Sequence, residues 1–333
     1  MSFPLLRASL GLRVALASLS FAASSGRLLA GATPPPADPL LEPPIVNTRP
    51  GPEYQDDARV AGMVIGMDRT PRGRIWGAWT GTGDNHEAYF ILATSDDGGA
   101  NWSKPRVVID PAEIPGQPAR YALIGNLWCD PNGRMWLFFD QHMKGYAQTG
   151  WFITCDNPDA AEPIWSQPTF VSDGSTLNKP VVLKSGEWLL PVSLLVPGRG
   201  TGPAHQPMVH TYVSTDLGRT WTRRGGVAIP PAEVNHNEPM FVELRDGRLW
   251  MLMRTRYGIA ESFSADRGRT WSEVKPSTIQ NPATRFFLRR LASGRLLLVK
   301  NGPIETRQPR RTLMTAFLSD DDGRTWSRGL LLD

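Results

Sequence analysis

The sequence predicts an all-β protein, a β-propeller built from repeated four-stranded sheets, or blades. Two repeated motifs predict this fold. The pattern Ser-x-Asp-x-Gly-x-x-Trp occurs four times, and a turn glycine between two apolar runs occurs five times. Short apolar runs bounded by turn residues are typical of strands, and no stretch shows helical spacing of apolar residues of comparable strength.

The first motif, called the Asp motif below, is expected to hold turns. It occurs at Ser95–Trp102, Ser214–Trp221, Ser264–Trp271 and Ser319–Trp326. The first gap is about twice as long as the others, and a related stretch, Thr154–Trp165, lies in it. The aspartate accepts hydrogen bonds from nearby backbone N–H groups, the glycine adopts a left-handed conformation, and the tryptophan buries a large ring. These aspartates are therefore predicted to be structural.

The second motif predicts a hairpin at the start of each blade. Its glycines are Gly73, Gly133, Gly186, Gly247 and Gly294. A further strand leads into most Asp motifs and another follows the tryptophan, so each unit of about 50–60 residues holds four strands, as a blade does. Five units are visible, and an open ring exposes strand edges. We therefore expect a six-bladed propeller whose last blade is missing from this chain or incomplete.

Composition narrows the class of partner. The chain has 333 residues and a net charge of +4, which favours anionic partners, but it has no long block of lysine and arginine that would indicate nucleic acid. The two cysteines, Cys129 and Cys155, lack zinc-site spacing, and either a disulfide or two free thiols fits them. The sequence implies no cofactor and no metal.

The N-terminus has the features of a secretory signal peptide. Arg7 and Arg13 precede or enter an apolar run at Val14–Ala23, which is too short to span a membrane, and Ala30–Ala32 matches a cleavage site. We expect a signal peptide over 1–32, a Pro-rich linker over 33–50 and the propeller domain over 51–333. The mature protein is then secreted or periplasmic, without a membrane span, and a monomer.

The Asp motifs, each preceded by a glycine hairpin, resemble the Asp-boxes, or BNR repeats, of the sialidase superfamily. The resemblance extends from about Tyr54 to the end of the chain. It implies a sialidase-like β-propeller and a glycoside hydrolase that cleaves terminal sialic acid or a related acidic sugar. Asp-boxes also occur in propellers without enzymatic activity, so the function has to be argued from the site.

The stretch Asn235–Arg256 resembles the fourth-blade segment of sialidases. By that resemblance Glu238 is the base that takes the proton of a nucleophilic tyrosine, and Arg254 is one of three arginines that bind the substrate carboxylate. Arginine suits this role because it stays charged and forms paired hydrogen bonds with carboxylates. Antiparallel pairing puts the two residues at the same end of adjacent strands, where a simple cross-strand ion pair is the alternative.

The other two arginines of the resemblance match less specific sequence. Arg59 lies on the expected innermost strand of the first blade, and Arg311 precedes the strand that enters the last Asp motif. The alternative for both is a solvated surface arginine. Arg289 and Arg290 lie on opposite faces of a predicted strand, and one of the two is expected to line the central channel.

Two departures from the family leave the reaction open. The stretch Tyr121–Trp128, where the acid/base aspartate is expected, has no carboxylate, and the nucleophilic tyrosine belongs to a sixth blade; Tyr257 is merely close to Arg254. His142 and His236 are candidate acids or bases, as in propeller enzymes acting on uronic acids, or else hydrogen-bonded loop histidines. A sialidase, an enzyme acting on another acidic glycan and a non-catalytic glycan-binding propeller are the three hypotheses.

Overall fold

A computed structural model describes residues 38–58, 62–111, 113–143, 148–195 and 206–333. The predicted signal peptide and Arg59 lie outside these residues. Three short 3-10 helices occur in the described part, at Pro39–Leu41, Pro52–Tyr54 and Pro231–Glu233. All its other regular structure is β-strand.

The described residues form five sheets, which we number as blades in chain order. The first contains β1 (Ile45–Asn47), β2 (Val64–Arg69), β3 (Ile75–Thr80), β4 (Phe90–Ser95) and β5 (Val107–Asp110). The second contains β6 (Arg120–Tyr121), β7 (Gly125–Cys129), β8 (Met135–Met143), β9 (Thr149–Cys155) and β10 (Thr169–Asp173). The third contains β11 (Val181–Val182), β12 (Trp188–Leu194), β13 (Met208–Ser214) and β14 (Thr222–Ala228). The fourth contains β15 (Val234–Glu243), β16 (Leu249–Thr255), β17 (Gly258–Ser264) and β18 (Lys275–Pro276). The fifth contains β19 (Phe287–Arg290), β20 (Leu296–Asn301), β21 (Met314–Ser319) and β22 (Leu330–Leu331).

Each blade is an antiparallel meander of four consecutive strands, so the predicted β-propeller is confirmed. The described residues make five blades, where six were expected with the last missing or incomplete. β1 adds a fifth strand to the outer edge of the first blade by pairing with β5, Ile45 opposite Asp110. Part of the segment predicted as a linker is therefore built into a sheet.

The hairpin glycines lie where the backbone requires them. Gly73 has φ of 103° and Gly247 has φ of 84°, values in the left-handed region that side chains other than glycine rarely adopt. The other three hairpin glycines share this conformation. The turn chemistry of the sequence thus fixes where the first two strands of every blade meet.

The Asp motifs hold turns, as predicted. In the motif of the fourth blade, Asp266 Oδ1 accepts hydrogen bonds from Ser264 Oγ at 2.8 Å and from the backbone N of Thr270 at 2.9 Å. The Thr270 hydroxyl donates to Oδ2 at 2.6 Å. The degenerate copy closes in a related way, because Asn157 Oδ1 accepts from the backbone N of Ile164 at 2.9 Å.

The glycines of two Asp motifs also allow neighbouring blades to pack closely. A Cβ atom on Gly218 of the third blade would lie 2.5 Å from the ring of Trp136 in the second, and one on Gly323 of the fifth would lie 2.6 Å from Trp250 in the fourth. Real atoms do not approach so closely, so only glycine lets these blades pack. In the third and fifth blades the motif therefore sets the distance to the preceding blade as well as the turn.

The tryptophan rings fill the contact between the second and third blades. Trp136 and Trp188 are fully buried, and Trp128 meets Trp188 edge-on with ring centroids 4.8 Å apart. Edge-to-face packing is a favoured arrangement of aromatic rings.

Cys129 and Cys155 are free thiols, and burial raises the pKa of each to about 11. In the described part of the chain no helix has the length and apolar character needed to cross a membrane.

Replacing Asp266 by alanine should lower the free energy of unfolding by on the order of 1 kcal/mol, because its hydrogen bonds to the turn are lost. Asp320→Ala is the control, since this exposed carboxylate lies within the Asp motif of the fifth blade without being its central aspartate, Asp321. Urea unfolding at neutral pH measures the difference. Equal stability of Asp266→Ala and Asp320→Ala would show that the motif aspartate does not hold the turn.

The Asp266→Ala variant also tests how the stability of the protein responds to a fall in pH. Burial alone would raise the pKa of Asp266, but hydrogen bonds from Thr270 and Ser264 bring it down to about 2 from an ordinary 3.8. A carboxyl with a lowered pKa stabilises the fold above its ordinary pKa and loses that effect as the pH falls through its folded value. Between pH 4 and pH 2 the Asp266→Ala variant should therefore lose less stability than the wild type.

Candidate functional site

One polar position recurs in every blade, at the end opposite the hairpins. It is the seventh residue after the hairpin glycine, near the end of the second strand. The residues are Thr80, Asp140, Ser193, Arg254 and Asn301, and all five are buried. Buried polar groups are costly unless they find partners, so this shared level indicates a polar end of the propeller, which we call the site end.

Glu238 and Arg254 meet at the site end of the fourth blade. Arg254 Nη1 lies 3.2 Å from Glu238 Oε1, and the two residues are only 8% and 7% exposed. Glu238 is near the start of β15 and Arg254 near the end of β16, which pair in antiparallel fashion. The structure thus brings these two predicted site residues together, as hairpin geometry required.

The backbone beside this pair is bent into an uncommon conformation. Asn237 has φ of 58° and Glu238 has φ of 42°, and the register of β15 against β16 shifts on both sides of Asn237. Such irregular strand segments re-aim side chains and occur often at functional sites. At this bend β15 leaves its regular pairing with β16, and the bent segment lies at the site end.

Several buried polar atoms of this bend have no hydrogen-bond partner. They are Nδ2 and Oδ1 of Asn237, Oε2 of Glu238 and Nε of Arg254. Leaving a buried polar group unpaired costs about 1–3 kcal/mol, and more when the group is charged. A cluster of such atoms on three consecutive or paired residues is the arrangement expected where a polar ligand supplies the missing partners.

Arg285 completes the cluster, and the sequence analysis did not identify it. Its Nη2 donates to the backbone O of Leu177 at 2.8 Å and to Asn178 Oδ1 at 3.1 Å. Asn178 Nδ2 in turn donates to the backbone O of Glu238 at 3.1 Å. Burial lowers the pKa of Arg285, while the charge of Glu238 acts to raise it and that of Arg254 to lower it. Both charges therefore act on Arg285.

A sequence signal for Arg285 existed. It precedes β19, the first strand of the fifth blade, much as Glu238 lies near the start of the first strand of the fourth. Neither repeated motif includes Arg285, so its position before the first strand of a blade is the one feature that indicates a site residue there.

His142 forms a second polar pair with Asp140 at the site end of the second blade. His142 Nε2 lies 2.8 Å from Asp140 Oδ2, a separation that suits an ion pair, although the geometry is not that of a hydrogen bond. Asp140 Oδ1 accepts from the backbone N of Ile124 at 2.9 Å. Tyr121 stacks on His142 with ring centroids 4.8 Å apart.

The remaining sequence-predicted residues lie apart from these contacts. Arg311 is exposed and lines a hollow with Arg307, Arg310 and the segment 282–284 that leads to Arg285. Lys300, which the sequence analysis did not single out, anchors the loop after β20, because its Nζ donates to the backbone O of Gly302 at 2.8 Å and of Pro303 at 2.7 Å.

His236, Tyr257 and Arg289 have three different environments. His236 is exposed, two residues before Glu238. Tyr257 is half-buried against the core of the fourth blade, and burial raises its pKa. Arg289 lies near the hairpin of the fifth blade and lines a cavity of about 520 Å³ with Lys179 and Phe241.

The arrangement at the fourth blade is suited to an anionic ligand. Arg254 pairs with the Glu238 carboxylate, and the charges of both residues act on the Arg285 guanidinium, so two positive groups and one negative group leave a net positive charge. Arginine binds carboxylates with paired hydrogen bonds, and burial strengthens the attraction. Among the residues that the structure describes, no three histidine, cysteine, aspartate or glutamate side chains gather as a metal site would need.

Comparison with known proteins gives one family and several relatives. A family model described as a BNR repeat-like domain matches residues 73–333. A sialidase of Bacteroides fragilis (strain YCH46) is 25% identical over 318 residues, covering 84% of this chain and 56% of the relative. This chain therefore spans little more than half the length of that protein.

Solved structures share the fold. A Hadza microbial sialidase, Hz136, superposes with a TM-score of 0.66 at 21% identity, over 84% of this chain and 60% of its own. Trypanosoma rangeli sialidase in complex with sialic acid superposes with a TM-score of 0.59 at 14% identity, over 79% of this chain and 47% of its own. At these identities the likeness establishes a shared propeller architecture.

The strained residue Asn237 provides a test that separates a functional side chain from a structural one. Asn237→Gly removes two unpaired buried groups and relieves the positive φ, so the free energy of unfolding should stay the same or rise by about 1 kcal/mol. Asn178→Ala is the control, because that buried asparagine makes hydrogen bonds and its loss should cost about 1–3 kcal/mol. If Asn237→Gly destabilises the protein as much as Asn178→Ala does, the side chain of Asn237 is structural.

Proposed function

This chain belongs to the family described as the BNR repeat-like domain, and from that premise we propose that it is a sialidase-like glycoside hydrolase. The substrate is a glycan or glycoconjugate that ends in sialic acid or a related acidic sugar. The observation that carries the proposal is the buried pair of Glu238 and Arg254, 3.2 Å apart, with unpaired polar atoms on both residues and Arg285 within their electrostatic reach.

Arg254 and Arg285 bind the carboxylate of the sugar. Together with Glu238 they carry a net charge of one positive unit, which the carboxylate neutralises. Nε of Arg254 is an unpaired donor, and Arg285 keeps further N–H groups beyond those on Nη2. Because the surroundings are buried, each of these charged contacts is stronger than the same contact in water.

Glu238 accepts the proton of the nucleophile. Its Oε1 lies beside Arg254, whereas Oε2 is buried without a partner and is the atom available to a tyrosine hydroxyl or a water molecule. A carboxylate that is held in place by an arginine is a suitable general base when its free oxygen faces the reacting group. The bent backbone at Asn237 and Glu238 is what aims this oxygen.

The relatives support this class of substrate. One is named a sialidase and another was solved in complex with sialic acid. Glycans that end in sialic acid lie outside cells, which agrees with the signal peptide proposed for residues 1–32 and with a secreted or periplasmic protein.

Arg254→Ala tests the proposal. With a fluorogenic sialoside, kcat/KM should fall by about 100-fold or more, because losing a charged, buried hydrogen-bond pair costs about 3 kcal/mol and each tenfold in rate corresponds to 1.36 kcal/mol. Arg254→Lys keeps the charge but not the paired geometry, so its activity should be intermediate. Arg289→Ala is the control, since that arginine lies towards the hairpin end, and its kcat/KM should equal that of the wild type.

The wild type decides among the three hypotheses. Failure of the folded, full-length chain to release sialic acid would refute the sialidase proposal. Release of another acidic sugar from the same panel of glycans would indicate the enzyme of different specificity, and binding to acidic glycans without turnover would indicate a glycan-binding propeller.

A further inference from the structure

A chain of aromatic rings leads from the first blade to a buried carboxylate in the second. His86 meets Tyr121 edge-on, with ring centroids 5.0 Å apart, and Tyr121 stacks on His142 at 4.8 Å. His142 lies 2.8 Å from Asp140, whose side chain is completely buried, while 8% of the His142 side chain is exposed. Burial, and then the charges of Asp140 and Asp84, raise the pKa of Tyr121, which therefore stays neutral.

The position of this pair in its blade corresponds to that of Arg254. Asp140 and Arg254 are each the seventh residue after a hairpin glycine, and each lies near the end of the second strand of its blade. β8 continues two residues further, and because side chains alternate along a strand, His142 lies on the same face as Asp140, nearer to solvent. Tyr121 pairs with His142 across β6 and β8, which fixes the imidazole at the site end.

The reaction needs an acid at such a place. Departure of a sugar alcohol as a free alkoxide is unfavourable, so a positioned proton donor accelerates the step by about 10²–10⁴-fold. The stretch Tyr121–Trp128, where the resemblance expects an aspartate for this role, has no carboxylate, and Tyr121 of that stretch lies against His142 instead.

We propose that His142, positioned by Asp140, is the catalytic acid that protonates the leaving group. This inference rests on the proposed glycoside hydrolase function. Nε2 faces Asp140, so the transferred proton comes from Nδ1. A carboxylate at this distance stabilises positive charge on the imidazole, and the stacked Tyr121 ring keeps it in one orientation.

The step balances as an ordinary hydrolysis. The imidazolium gives its Nδ1 proton to the glycosidic oxygen as the bond between that oxygen and the anomeric carbon breaks, and the bonding electrons stay on the oxygen. The alcohol leaves with that proton. Where a tyrosine is the nucleophile, its proton waits on Glu238; water then adds its hydroxide to the anomeric carbon of the covalent intermediate, its remaining proton goes to Nδ1, and the departing tyrosine takes its proton back from Glu238. Where water attacks directly, its remaining proton goes to Glu238, and exchange with solvent moves one proton from Glu238 to Nδ1, which restores the imidazolium.

The competing explanation is that the pair only supports the link between β6 and β7 in the second blade. Asp140 does hold this link, because it accepts a hydrogen bond from the backbone N of Ile124. That contact uses Oδ1, however, and needs no histidine. A buried ionic pair costs desolvation that an apolar pair of equal size avoids, so a histidine beside the carboxylate calls for a further role.

Leaving-group dependence separates the two explanations. Without its acid, an enzyme fails on a leaving group that needs protonation but still expels one that is stable as an anion. His142→Gln should lower kcat/KM by about 100-fold or more on sialyllactose, whose leaving group is a sugar alcohol, and by less than about tenfold on a 4-nitrophenyl sialoside. His210→Gln is the matched control, because His210 is equally buried in the third blade, and it should leave both rates as in the wild type.

Asp140→Asn is the second variant, in case His142→Gln folds poorly, and it should show the same selective loss on sialyllactose to a smaller degree. Equal losses on the two substrates in a folded variant, or no loss on either, would overturn the role of His142 while leaving the sialidase function intact. A wild type that cleaves neither substrate would instead overturn the proposed function, and the inference with it.

Discussion

The close approach of two Asp-motif glycines to a tryptophan of the preceding blade is the contact on which the rest of the structure depends. Gly218 against Trp136 and Gly323 against Trp250 leave no room for a Cβ atom. These contacts fix how far one blade lies from the next. The site is assembled from different blades, Arg254 from the fourth and Arg285 from the fifth, so its dimensions follow from that spacing.

The two ends of the blades serve different purposes. At the hairpin end, polar atoms of the Asp motifs pair with their own turns, as Asp266 does with Ser264 and Thr270. At the site end, Asn237, Glu238 and Arg254 keep buried polar atoms without partners. A protein accepts such a cost where a ligand repays it. Single indole N–H groups, those of Trp165 and Trp221, are also unpaired near the turns, but the bend at Asn237 and Glu238 is where unpaired atoms of charged side chains gather, which favours it as the functional site.

The repeated motifs made most of the fold predictable, because each encodes a turn by local chemistry that does not depend on distant residues. Glu238 and Arg254 were predictable for a similar reason, since one hairpin joins their strands. Arg285 was not, because its partners Leu177 and Asn178 are far away in the chain. His142 was a candidate from its residue type, but the sequence analysis did not pair it with Asp140 on the same strand. Aligning the five hairpin glycines would have helped, since the seventh residue after each is polar.

Other features depend on more than local pattern. The unusual φ values of Asn237 and Glu238 accompany the register shift between β15 and β16. No residue type in that stretch predicts the shift. The pairing of β1 with β5 joins residues far apart in the chain, so a Pro-rich segment gave no sign of it. The number of blades also depends on how the sheets pack against one another, which the repeated motifs alone do not determine.

A crystal structure with bound sialic acid tests the central claim most directly. The sugar should lie at the site end, with its carboxylate oxygens about 3 Å from the guanidinium nitrogens of Arg254 and Arg285. Oε2 of Glu238 should face the anomeric carbon. A carboxylate bound instead in the cavity lined by Arg289, with the site end unchanged, would contradict it.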